Sequence, residues 1–219
     1  MAKSTNKTST LENEAYEKLR DEIFTGVYKP GTMLKEKQIS DHLNISRTPV
    51  RTALQRLLFE KIVSEDATGH TFVARPTRKE VNEITEMRLA LEPMIFNPPV
   101  TDKPEIAKKL EDILTEQKEA DPYDKHGLIT FSKLDCEFHC ELATFSDNDL
   151  LIENIKSLNT MMMRCNILSG TLAFNIPEAL NEHKEIISYI KKQKYDFARL
   201  ALSKHIKKVN DRMFMNGEA

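Results

Sequence analysis

The sequence predicts a mainly α-helical protein in two parts: three helices with a two-stranded hairpin, then an antiparallel all-α bundle of about six helices. Three observations lead there. Between Leu11 and about residue 60, apolar residues recur at helical spacing in short blocks separated by turn residues. Next, Ile62-Val63-Ser64-Glu65 and His70-Thr71-Phe72-Val73-Ala74 flank the loop Ala67-Thr68-Gly69, the pattern of a β-hairpin. Beyond Thr77, strand-like alternation disappears and helical periodicity takes over.

A chain of 219 residues has room for one large or two modest domains. It is 30% charged and 40% hydrophobic, with no tryptophan, and no apolar run approaches a membrane span. The opening MAKSTNKTST lacks the apolar core of a signal peptide and reads as a disordered arm over residues 1–10. Three cysteines, an odd number, suit a reducing cytoplasm better than a disulfide framework. Residues 1–78 carry 13 Lys and Arg against 10 Asp and Glu, or +3, and the rest carry 19 against 24, or −5, which sum to the overall −2. An acidic chain of this kind binds DNA only through a local basic patch, best presented twice in a dimer.

The N-terminal part is placed at residues 11–76. Ser9 and Glu12 have the spacing of a capping box, and Leu11, Ala15, Leu19 and Ile23 then share a helical face that should end at Gly26. Pro30-Gly31 makes a turn between short extended pieces. A second helix is expected over Glu36–His42, with Ile39 and Leu43 inward. Asn44 tolerates the left-handed conformation of a sharp helix–helix turn. A third helix begins at Ser46, expected to cap it. It carries Arg47, Thr48 and Arg51 in its first turns and Val50, Leu54, Leu57 and Leu58 as its packing stripe. Such a helix suits end-on insertion into a major groove; the plain alternative is an amphipathic helix with a basic start, which the macrodipole slightly disfavours. Helix, turn, helix and hairpin together make a winged helix-turn-helix.

The succession TGVYKPGTML, KQISDHLNISRTPVRTALQRL and TGHTFVARP resembles the DNA-binding domain of the GntR family of bacterial transcription regulators. The resemblance implies DNA contacts at Lys37, Ser46, Arg47, Thr48 and Arg51, and at Gly69 and His70 on the wing tip. Arginine can grip guanine O6 and N7 bidentately, while a lysine suits a phosphate or single base. Two positions depart from the family pattern: Asn44 in the turn and Lys61 after the third helix stand where glycine is usual.

Residues 77–216 form the second part. Thr77 can cap a helix with Glu80 three residues on, and Val81, Ile84, Met87, Leu91 and Met94 follow at helical spacing until Asn97-Pro98-Pro99 breaks the run. Further amphipathic stretches cover 104–120, 128–146, 150–172, 177–191 and 196–215. Asp135 and His139 are four apart and so share a helix face. His183 and His205 each lie 11 residues from Lys194 (194 − 183 and 205 − 194), the expected helix–helix turn, which sets both at one height about 16 Å from it. A single inward histidine is ordinarily a hydrogen-bonded core residue. Four such residues at matched positions make a candidate mononuclear site for a divalent transition metal, Zn²⁺ or Ni²⁺. Cys136 and Cys140 sit about 100° round the helix and read as packing residues.

D-x-x-F-H at Asp135–His139, Glu182-His183, and the Asp196–His205 spacing also resemble the FCD effector domain of the FadR-type branch of that family. The resemblance implies Asp135, His139, His183 and His205 as metal ligands, a small organic acid completing the coordination, and homodimerisation. Arg88, in an R-x-x-L-E run, is a candidate for the acid's carboxylate; pairing with Glu92 at i,i+4 is the equal alternative. Arg164 is a second candidate cation, with a solvated position as its plain reading. The Pro98-Pro99 break departs from the family and bears on the pocket wall. The expectation is therefore a cytoplasmic regulator that binds a palindromic operator and is not an enzyme. The competing readings are a regulator with the metal itself as signal, and a small metalloenzyme.

Overall fold

The computed structural model describes residues 2–97, 100, 102–170 and 176–213. The chain divides into two compact units, Met1–Arg75 and Pro76–Ala219. The first runs α1 (Ala2–Phe24), β1 (Met33–Leu34), α2 (Glu36–Leu43), α3 (Arg47–Phe59), β2 (Val63–Glu65) and β3 (Thr71–Val73). Ala15, Leu19, Ile23, Ile39, Val50, Ala53 and Leu57 are buried between its helices. Asn44 closes α2 in the left-handed conformation at φ 54, as the sharp turn requires.

Three details correct the expectations. Helix α1 starts at Ala2, so Ser9 and Glu12, expected as a capping box at its start, lie inside it. Extending a helix already anchored by packing requires no new nucleus, which lets a polar segment join it. The sheet has three strands, in the order β1-β3-β2, all antiparallel. Gly31 N–H donates to Val73 O at 2.8 Å and Val73 N–H to Thr32 O at 2.9 Å, which lays Met33–Leu34 along the free edge of β3. Gly31 adopts φ +84, and a Cβ there would sit 2.6 Å from the Arg75 guanidinium. Ser46 occupies the N-cap of α3 in extended conformation, but without a hydrogen bond from its side chain to the helix.

The second unit contains α4 (Arg78–Leu91), a 3-10 turn (Glu92–Phe96), α5 (Pro104–Glu119), α6 (Lys125–Ala143), α7 (Asp149–Ser169), α8 (Ile176–Lys191) and α9 (Tyr195–Met213). Thr77 caps α4, accepting from Glu80 N–H at 3.1 Å. The α-helical bonding stops at Glu92 because Pro93 has no N–H to offer. Pro98 and Pro99 lie outside the described residues. Asp124 and Asn148 cap α6 and α7 through Gly127 N–H and Leu151 N–H. Gly127 is required where it stands: a Cβ would meet the Asp121 carbonyl oxygen at 2.1 Å. Phe138, Leu142, Ile155, Ile186, Leu202 and Ile206 belong to the central core, which pins the inward faces of α6, α8 and α9.

Candidate functional site

In the second unit, Asp135 and His139 face inward from α6, His183 from α8 and His205 from α9. One ligand atom from each lies within 4.8 Å of all the others. The three histidines are fully or almost fully buried. His183 stacks on Phe138 with ring centroids 4.0 Å apart, and the His183 and His205 rings are 4.7 Å apart. His139 Nε2 is 3.2 Å from His205 Nε2, and His183 Nε2 is 3.5 Å from Asp135 Oδ1.

The other ring nitrogens show which atoms are available. His139 Nδ1 meets Glu92 Oε2 at 2.8 Å, His183 Nδ1 meets Gln117 Oε1 at 2.9 Å, and His205 Nδ1 meets Glu182 Oε2 at 2.8 Å. All three partners are acceptors, so each Nδ1 carries the proton and each Nε2 presents its lone pair to the centre. His183 Nε2, though buried, has no hydrogen-bond partner among the described residues. Burial pushes the His183 pKa well below its usual value. Burial also lowers that of His205, against its bond to Glu182. Neutral imidazoles with outward Nδ1–H and inward Nε2 are what a metal requires. Donors about 2.1 Å from a shared centre, at angles of about 100–110°, stand about 3.2–3.4 Å apart, close to the 3.2 and 3.5 Å of two of these pairs, in a set whose atoms all lie within 4.8 Å of one another. The residues fit a divalent transition metal.

Arg88 and Glu92 form a buried ion pair, Nε to Oε1 at 2.5 Å, and Asn159 Nδ2 donates to the same oxygen at 3.0 Å. Burial alone would raise the Glu92 pKa, but the Arg88 charge and the hydrogen bonds from His139 and Arg88 hold it well below the usual carboxylate range. Arg88 thus pairs with Glu92, one of its two expected roles, while its Nη2 has no hydrogen-bond partner among the described residues. Glu182 is likewise held below the usual range: hydrogen bonds from Arg212 and His205 outweigh burial. Arg164 is buried, not solvated, and its guanidinium pairs with Glu80. Glu80 lies eight residues before Arg88, about 12 Å along α4. Gln117 and Asn159 carry no role in the sequence motifs, Glu182 enters them only beside His183, and Glu92 only as a partner for Arg88. A signal existed for Gln117, which interrupts the inward stripe Ile106, Leu110, Ile113.

In the first unit, Lys37, Ser46, Arg47, Thr48 and Arg51 are all exposed, on or beside the first turns of α2 and α3. Val50, Ala53, Leu54 and Leu57 bury the opposite face of α3. Arg51 is held in a fork by Glu36, Nε to Oε1 at 2.7 Å and Nη2 to Oε2 at 2.8 Å. At the wing tip Gly69 has φ +79, and Asp66 Oδ1 accepts from Thr68 N–H, Thr68 Oγ1 and His70 N–H. These bonds hold the Asp66 carboxyl down at about 2. Gly69 and His70 are both exposed there.

Residues 11–73 match the model of bacterial regulatory proteins of the gntR family, and residues 83–208 match that of the FCD domain. The chain is a GntR-family regulator with an FCD domain. It is 26% identical to the HTH-type transcriptional repressor RspR of Escherichia coli K12, over 94% of this chain and 90% of the relative. It is 36% identical to the gluconate operon transcriptional repressor of Bacillus subtilis, over 63% of this chain and 56% of the relative. Its fold is that of a GntR transcriptional regulator from Rhodococcus sp. RHA1, at TM-score 0.74 and 21% identity, covering 94% of this chain and 99% of the other. Escherichia coli McbR/YncC follows at TM-score 0.64 and 21% identity, covering 94% and 96%. The regulator binds DNA and is not an enzyme. Among the described residues no helix is long and apolar enough to cross a membrane.

Proposed function

We propose that the regulator is a one-component switch in which Asp135, His139, His183 and His205 hold Zn²⁺ or Ni²⁺ and a small carboxylate binding there sets operator affinity. The observation that carries this reading is the inward convergence of three imidazole Nε2 atoms and a carboxylate, each Nδ1 being taken by an acceptor. A bound divalent metal supplies a positive centre for an oxyanion. Arg88 serves the effector's carboxylate through Nη2, while Glu92 fixes the rest of its guanidinium. Arg164 is assigned to Glu80 instead. The gluconate operon repressor among the relatives is consistent with an acid as the signal.

Lys37, Ser46, Arg47, Thr48 and Arg51 read the operator with Gly69 and His70 at the wing. Two copies related by a dyad recognise a palindromic site in the bacterial cytoplasm, and differential affinity of the acid for two conformations couples the sites. Equilibrium dialysis against Zn²⁺ and Ni²⁺ tests the metal centre. Wild type takes up one ion per chain, and His183→Ala and His205→Ala lose about 100-fold or more in affinity. Unchanged uptake in both variants overturns the assignment.

A further inference from the structure

Cys136 and Cys140 are the part of α6 that the proposed metal centre leaves unused. Each follows a proposed ligand by one residue, both are half-buried, and their sulfurs are 4.0 Å apart. Cys165 is the ordinary case of a packing cysteine, buried with Val81, Ile84 and Met162. A pair of thiols one helical turn apart and partly open to solvent is different, because two sulfurs can act on one atom.

A disulfide suits the pair poorly. It requires Cβ atoms about 3.5–4.5 Å apart, whereas residues one turn apart on a helix keep theirs about 5–6 Å apart. Helix α6 runs unbroken from Lys125 to Ala143. An atom placed between the sulfurs removes the conflict. Two sulfur bonds of about 2.3 Å at the roughly 100° angle of a pyramidal three-coordinate centre span about 3.5 Å, about 0.5 Å less than the 4.0 Å found and within reach of a small side-chain rotation. The pair offers two sulfurs only, and among the described residues the one cluster of three or more metal-binding groups is the Asp135 set. The matching centre is therefore one that takes two bonds from the protein and carries its own third substituent.

We propose that Cys136 and Cys140 form a chelating site for one trivalent arsenic centre, supplied as arsenite or an organoarsenical. With arsenous acid, two As–O bonds break and two As–S bonds form. Each thiol proton leaves with a hydroxide as water, so As(OH)₃ and two thiols give one dithioarsenite and two waters, with no change of oxidation state. The bridge closes across the helical turn that carries His139 and begins just after Asp135.

Phenylarsine oxide is the probe. It condenses with two thiols to release one water. The full-length regulator is titrated in its folded state, then alkylated and analysed by mass spectrometry. The expected result is one arsenic per chain, Cys136 and Cys140 protected and Cys165 not. Cys136→Ser and Cys140→Ser each lose at least 100-fold in affinity, and Cys165→Ala keeps wild-type affinity. The proposal is overturned if folded wild type forms no adduct, if the protected pair includes Cys165, or if either serine variant binds as tightly as wild type. Circular dichroism of each variant confirms that the folded protein is being compared.

Discussion

Replacing Glu92 with glutamine tests how the candidate site is held together. Glu92 is fully buried and accepts from Arg88 at 2.5 Å, Asn159 at 3.0 Å and His139 at 2.8 Å. Glutamine keeps the shape but removes the charge, leaving the buried Arg88 guanidinium without its counterion. Glutamine also turns one of the two accepting positions into a donor that faces another N–H. Breaking a buried pair by removing one partner costs about 3–5 kcal/mol, a large fraction of the stability of a typical domain. Urea unfolding of metal-free protein, followed by circular dichroism, should show a loss of that size. Loss of the acceptor that orients His139 should also weaken metal binding about 10–100-fold in a chelator competition. A variant within about 1 kcal/mol of wild type, with unchanged metal affinity, would refute the reasoning, because a lone buried charge cannot be that cheap.

Gly127→Ala should lower the stability of the helical unit by about 2 kcal/mol or more, read as a drop in Tm, because its Cβ would meet the Asp121 backbone and displace the Asp124 cap. Lys61→Gly should raise the stability of the DNA-binding unit by about 0.5–1 kcal/mol in thermal melts, since Lys61 sits at φ 57 where a side chain is strained. For metal-free protein, the depressed His183 and His205 pKa values make the unfolded chain bind protons more readily than the fold. Stability is therefore full above the ordinary histidine value of 6.5 and falls as pH drops below it. It declines further below 4.5, as the unfolded chain protonates carboxyls that Glu92 and Glu182 keep ionised in the fold. Melting temperatures across pH 8 to 4 with a chelator present check this; a flat profile between pH 7 and 5 contradicts it.

Much of this architecture could be read directly from residue order. Asn44 marked the left-handed turn and Thr77 the start of α4, because both positions answer a local backbone requirement. The levels of His183 and His205 followed from counting back to their shared turn, and the rings lie 4.7 Å apart. What escaped depended on tertiary context. Met33 and Leu34 are two residues, too few to show a period, and form a strand only because β3 has a free edge. Gln117 and Glu182 look like ordinary polar positions until the imidazoles they orient are in place, since a tether is defined by its partner. Arg164 looked solvated because its partner, Glu80, is 84 residues away in sequence.

On the proposed function, the Asp135, His139, His183 and His205 cluster controls DNA binding. The most direct test is the affinity of the metal-loaded regulator for a DNA fragment selected from random sequence, read by fluorescence anisotropy while candidate organic acids are titrated in. An effective acid is expected to change wild-type affinity about 5-fold or more. His205→Ala is expected to bind the DNA yet no longer respond. A variant that responds to the acid like wild type would contradict it.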